Sequence, residues 1–264
     1  MIFLTDENYY SPEANWDYMS VSQFKSFVDC QECAMAELRG DYKRPPSDAM
    51  LAGSYVDAWC EGTLEEFKES HPEIYDSRSK TEKKLKADFR QCDEIIESIR
   101  GDPYFSSFLE GQKQTIMTAD MFGCRWKAKF DVYVPDERIV DMKLMKSIDD
   151  KFWISDFRRY GSFVEGYKYN IQLNVYAMIE AIATGRERYL DRFIAVATKE
   201  NPCRKMILDG FDQDMAFTQD YLAYYMPLFL KIKAGEIDPE PCGKCVYCRL
   251  TQPTIKQNYR NLIG

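Results

Sequence analysis

Apolar and polar positions alternate most regularly between Gln114 and Leu144. In KFDVYV, Phe130, Val132 and Val134 alternate with Lys129, Asp131 and Tyr133, the period of a half-buried strand. Pro135, Asp136 and Glu137 supply turn chemistry. In IVDMKL, Ile139, Asp141 and Lys143 fall on one face and Val140, Met142 and Leu144 on the other. With QTIMTA, a turn over 120–123 and CRWKAKFDVYV, the pattern predicts an antiparallel meander of three strands. Arg125, Lys127 and Lys129 share the face of Asp131, so this face is also basic and would accept phosphate.

Elsewhere the period is mostly helical. SVSQFKSFVDC has Ser20 as N-cap with Gln23 as capping-box partner, and the helix runs into Cys30 and Cys33. Pro45 and Pro46 precede a second helix, AMLAGSYVDAWCEG, whose small residues permit close packing and whose notable polar residue is Asp57. Thr63 and Glu66 cap a short third helix. TEKKLKADFRQCDEIIESIR reads as a long amphipathic fourth, with lysines 83, 84 and 86 on its solvated face or against a DNA backbone. Basic and aromatic residues interleave from Lys146 to Tyr160, which suits a nucleic-acid groove or a plain surface lid. YKYNIQLNVYAMIEAIATG, ended by Gly185, places Tyr169, Gln172 and Tyr176 on one stripe. RFIAVAT reads as a central strand, RKMILDGF as a shorter one, and a last long helix spans about 213–233. The expectation is an α/β fold, a central mixed sheet flanked by helices, as a single domain over 1–264.

Composition narrows the class. The 264 residues are 45% hydrophobic and 14% aromatic, ample for one core. Thirty-five basic against 43 acidic residues, a net charge of −8, argue against a non-specific nucleic-acid coat but leave room for a local basic groove. No apolar run approaches the roughly 18 residues of a membrane span, and the first residues lack a basic then apolar leader, so a cytoplasmic location and no membrane partner are expected. Nine cysteines in a reducing compartment then point to metal ligation rather than disulfides.

Two constellations carry chemistry. Asp131 and Asp141, brought together by the hairpin, make an oxygen-rich seat for Mg²⁺, with Lys143 beside them to orient water and stabilise charge on a phosphate. The alternative is an exposed Asp/Lys strand pair. Cys242, Cys245 and Cys248 are spaced to converge on one soft centre, and a fourth ligand, Cys30 or Cys33, would complete tetrahedral zinc or an iron–sulfur cubane. Cys60, Cys92, Cys124 and Cys203 read as ordinary thiols.

In order and separation these motifs resemble the PD-(D/E)XK nuclease superfamily, in particular the RecE-like and lambda-exonuclease-like phage exonucleases and relatives with an AddB-type iron–sulfur staple. The resemblance covers nearly the whole length. It implies a restriction-endonuclease-like core with an N-terminal helical part and a C-terminal cysteine staple. It assigns Cys30, Cys242, Cys245 and Cys248 to a [4Fe–4S] cluster, structural Zn²⁺ being the alternative. It assigns Asp131 and Asp141 to Mg²⁺ or Mn²⁺, Lys143 to the attacking water, and Gln172 and Tyr176 to the family's Gln-x-x-x-Tyr helix. Asp57 stands where relatives carry histidine and Gln114 where they carry an acid, both as metal residues; the one histidine is His71. The implied function is a metal-dependent exonuclease of linear double-stranded DNA ends in phage-type recombination. DNA and a single-strand annealing protein are its implied partners, and rings occur among the relatives. Two other readings stand beside it: a nuclease fold that binds DNA without cutting, and a structural zinc protein.

Overall fold

The computed structural model describes residues 2–76, 83–254, Lys256 and Arg260, apart from the Asp156 side chain. The first part is helical: α1 (Pro12–Asp17), α2 (Val21–Asp29), α3 (Gln31–Arg39), α4 (Asp48–Glu61), α5 (Leu64–Ser70), α6 (Ala87–Arg100) and α7 (Pro103–Phe108). The meander follows as β1 (Gln112–Met121), β2 (Cys124–Val134) and β3 (Arg138–Met145). Next come a small hairpin, β4 (Phe152–Ile154) and β5 (Arg159–Gly161), then α8 (Phe163–Gly166) and α9 (Tyr169–Thr184). The chain closes with β6 (Asp191–Thr198), β7 (Lys205–Leu208), α10 (Met215–Lys233) and α11 (Val246–Thr251).

The central sheet has the order β1-β2-β3-β6-β7. Its first three strands are antiparallel, β6 runs parallel to β3, and β7 returns antiparallel on the edge. This is the mixed sheet expected, with β6 inside it as its apolar run requires. The parallel β3-to-β6 step is made by α9, which packs across β1, β2, β3 and β6. One core lies between the sheet and α2, α3, α9 and α10, where Phe24, Phe27, Trp126 and Phe229 are fully enclosed. The other lies between the opposite face and α4, α6 and α7, around Tyr55, Phe89 and Phe105. Each such aromatic contributes about 2–3 kcal/mol by burial, so the sheet is clamped from both sides.

Local reading and structure part at several places. Ser20 Oγ accepts the Gln23 amide, but the Gln23 side chain donates to Asn15 O and accepts from Lys233 Nζ, so only half of the capping box forms. Thr63 makes no side-chain cap at all; its hydroxyl donates to Ala58 O. The helix expected from 81 begins at Ala87, and Lys83 to Lys86 precede it in extended chain bridged to Tyr75; Thr81 and Glu82 lie outside the described residues. The interleaved basic and aromatic stretch is a loop followed by the β4–β5 hairpin, whose two strands are joined through a 3-10 turn. Helices α1, α3 and α7 lie outside the expected elements, although α1 and α7 open on capping residues, Ser11 and Asp102, each followed by proline.

The basic face of β2 is also differently used. Lys127 is 2% exposed and donates to Tyr9 O and Asn15 Oδ1, Lys129 pairs with Asp6 at 2.9 Å, and Arg125 reaches Asp17. The N-terminal segment covers the face expected to take phosphate, because its acids neutralise the same cations.

Candidate active site and cysteine cluster

The site forms where β2 and β3 stop pairing. Their ladder consists of Val132 with Val140, Tyr133 with Ile139 and Val134 with Arg138. Beyond it the strands diverge, which leaves the Met142 amide without a ladder partner; Asp131 Oδ2 accepts it at 2.9 Å. Alternation along β2 reverses at this point, since Phe130 and Tyr133 face one core and Val132 the other. Gln114 stands across from Asp131 with φ +51°, a strained local twist for a non-glycine residue. The fork and the twist together open a notch lined by Asp131, Asp141 and Lys143.

Lys143 Nζ lies 2.6 Å from Asp141 Oδ2 and 4.0 Å from Asp131 Oδ2. Burial opposes its charge, but Asp141, Asp131 and Asp57 together hold its pKa above the usual lysine value. Asp131 is driven the other way: burial, then repulsion from Asp141, raises its carboxyl well above the ordinary range. Asp57, from α4, is pushed up to about 7 by burial, with Asp141 and Glu61 adding to it and Lys143 opposing. Asp141 is 2% exposed; apart from the ion pair with Lys143, its Oδ2 takes no hydrogen bond.

Helix α9 supplies the next layer. Gln172 Nε2 donates to Asp141 Oδ1 at 2.9 Å and to Tyr176 Oη at 3.2 Å, and the Tyr176 ring packs on Phe130. The expected stripe therefore does face the acids. Lys25, on α2, donates to Gln172 Oε1 at 2.9 Å and lies over the Tyr169 ring. Burial and then the charge of Lys143 push the Lys25 ammonium down to about 7. Sequence reasoning missed Lys25, which follows Ser20 on a helix read only for its caps and apolar face.

Gln114 is placed near the notch, but its amide hydrogen-bonds Glu61. Glu61 was also missed, although it sits four residues after Asp57 on the same helix, a one-face spacing visible in the sequence. Its carboxyl is raised above the ordinary value by burial. His71 stacks on Phe67 and donates from Nδ1 to Phe67 O, so it is a local helix-end residue.

A divalent cation fits this donor set. The groups are hard oxygens, the carboxyls of Asp131 and Asp57 are raised by burial and mutual repulsion, which a cation would relieve, and Asp141 Oδ2 is buried against the Lys143 ammonium. Among the described residues the carboxylates do not close to within 4.8 Å in a group of three, since Lys143 stands between Asp131 and Asp141.

The cysteines do close. Cys30, Cys242, Cys245 and Cys248 have all their sulfurs within 4.8 Å of one another. Cys30 is the hinge between α2 and α3: extended at φ −166°, its Sγ accepts the Cys33 amide and so caps α3. That places Cys33 on a different helix, with its thiol toward Arg44, and leaves Cys30 as the fourth sulfur of the group. Backbone amides of Lys244 and Cys245 point at Cys242 Sγ and lower its pKa to about 6; burial raises Cys248 to about 12. The four are compact enough to share one tetrahedral ion, whose thiolates at 2.3 Å would stand about 3.8 Å apart; a cubane would ask them to spread.

The chain's sequence matches the PDDEXK-like domain of unknown function (DUF3799) over residues 20–251. Its fold is similar to a solved structure from Eubacterium rectale described as a candidate exonuclease: 39% identity, TM-score 0.93, covering 100% of this chain and 99% of that one. None of the curated proteins matches it.

Proposed function

The chain belongs to this PDDEXK-like family and has its nuclease-like fold, and from that premise we propose that it is a metal-dependent exodeoxyribonuclease acting on the ends of linear double-stranded DNA. The observation that carries the reading is the notch itself: Asp131, Asp141 and Lys143 brought together at the fork of β2 and β3, with Gln172 held on Asp141. Asp131 and Asp141 would hold Mg²⁺ or Mn²⁺, with Asp57 and Glu61 flanking them. A bound cation supplies Lewis-acid charge and a more acidic water.

The chain's own residues do the rest. Lys143 keeps its proton because three carboxyls surround it, so it acts as a fixed cation that orients the attacking water and meets negative charge building on the phosphate. Gln172 fixes the direction of the Asp141 carboxylate, and Tyr176 fixes Gln172. Gln114 acts through Glu61. The water oxygen bonds to phosphorus, the bond to the departing sugar oxygen breaks, and a phosphate monoester and a hydroxyl remain.

For the cysteines we propose a structural metal centre. The resemblance favours a [4Fe–4S] cluster and the sulfur spacing favours a single Zn²⁺; iron with thiolate-to-iron absorbance, or one zinc per chain, separates them. Phage-type recombination with an annealing protein is the setting the resemblance implies. End-labelled duplex incubated with Mn²⁺ should be shortened by the native protein and left whole by Asp141→Ala; equal behaviour of the two would refute the site. The second reading, DNA binding without cutting, draws on Gln114 and Asp57, which give the site an amide and a partly protonated acid.

A further inference from the structure

A cavity of about 330 Å³ opens beside the notch, between the β4–β5 hairpin and helices α2, α9 and α10. Four aromatic residues line it among polar ones: Trp153 and Phe157 from the hairpin, Phe217 and Tyr221 from α10. Phe157 meets Phe217 at 5.5 Å and Phe217 meets Tyr221 at 5.4 Å between ring centroids. Its polar rim includes the Lys168–Asp29 pair, 3.1 Å apart.

The cavity and the candidate catalytic notch share two helices. On α9, Asn170 and Ile171 line the cavity while Tyr169 and Gln172 face the notch; on α2, Val28 and Asp29 line the cavity while Lys25 reaches Gln172. On α2, Lys25 and Val28–Asp29 are three and four residues apart, about one helical turn. A strand with its phosphate at Lys143 that ran along α2 would carry its next base toward this opening.

The hairpin is built in place. A Cβ on Gly166 would come within 2.5 Å of the Phe152 ring, so glycine lets β4 lie flush on α8. Arg159 pairs with Glu165 at 2.5 Å, and Glu165 also completes a capping box with Ser162. Yet Trp153 is 56% and Phe157 48% exposed, a cluster of aromatic surface that water disfavours. Arg158, at the tip with φ +49°, adds an exposed cation.

The geometry points to a docking pocket for one nucleobase, unstacked from its neighbours on the strand being cut. Flat aromatic walls accept any base face, the Asp29 carboxylate can accept from a base amino group, and the exposed cations meet the flanking phosphates. This inference rests on the nuclease reading and adds a preference for frayed or single-stranded ends.

Labelled single-stranded oligonucleotides carrying one abasic residue at successive positions, titrated by fluorescence anisotropy with Ca²⁺, test it. One abasic position should weaken binding on the order of tenfold, and the double variant Trp153→Ala/Phe157→Ala should bind intact and abasic strands alike. Both side chains are surface-exposed, so the variant keeps its core. Binding and Mn²⁺-dependent cutting with a flat abasic profile would overturn the pocket alone. Absence of both binding and cutting would overturn the nuclease reading and the pocket with it.

Discussion

Lys143 decides the electrostatics of the notch, because three acids raise its pKa while burial resists the ionisation of two of them, Asp131 and Asp57. Lys143→Ala should lower DNA hydrolysis on the order of 10²–10³-fold while leaving the fold intact, a split read by gel assay beside circular dichroism. Asp57 makes a second prediction. Its folded pKa of about 7 lies above the ordinary 3.8, so the stability it contributes is full below pH 3.8 and is lost as pH rises through about 7. In metal-free protein, Asp57→Asn should therefore flatten the fall in unfolding free energy between pH 5 and pH 8, by on the order of 2 kcal/mol after allowing for partial exposure. Unchanged slopes in the variant would contradict it. Asp131, Asp141, Lys143, Gln172 and Tyr176 were legible because a two-residue period and a four-residue spacing determine which side chains share a face. Lys25 was not, since it reaches the site through a tertiary contact with Gln172; Glu61 shares the face of Asp57 at a four-residue spacing, and only its contact with Gln114 was beyond the sequence.

At the scale of elements, the least readable feature was the break at Cys30. Thiol capping is weak beside that of Ser, Thr, Asp or Asn, so the boundary between α2 and α3 left no ordinary signal. The reversal of alternation at Asp131 was hidden for a similar reason: nothing local distinguishes Gln114 in its left-handed conformation. The cysteine spacing, by contrast, was legible, and the thiols do come together, because a short tail turning into α11 brings three of them to one side. Cys245→Ala should release the bound metal and cost several kcal/mol, against about 1 kcal/mol for Cys92→Ala, whose thiol is packed in the α4–α6 core. Thermal melts with metal analysis compare them, and equal losses would count against the cluster. Gly166→Ala should disturb the hairpin and leave α9 in place, visible as altered tryptophan fluorescence at unchanged helicity.

Across the whole molecule, the helical N-terminus and the cysteine tail hold the two ends of the chain together through Cys30, while the mixed sheet presents its fork to α4 on one side and α9 on the other. Among the described residues no helix is long and apolar enough to cross a membrane. The net charge of −8 leaves DNA binding to local cations such as Lys25, Lys143 and Arg158 rather than to the surface at large. Binding should therefore weaken with salt, but with a shallow slope. The most direct test of the central claim is a time course of linear and circular double-stranded DNA with Mn²⁺, with native protein and Lys143→Ala run together. The linear form alone should disappear, and only with native protein. Persistence of both forms, or equal loss with Lys143→Ala, would contradict it.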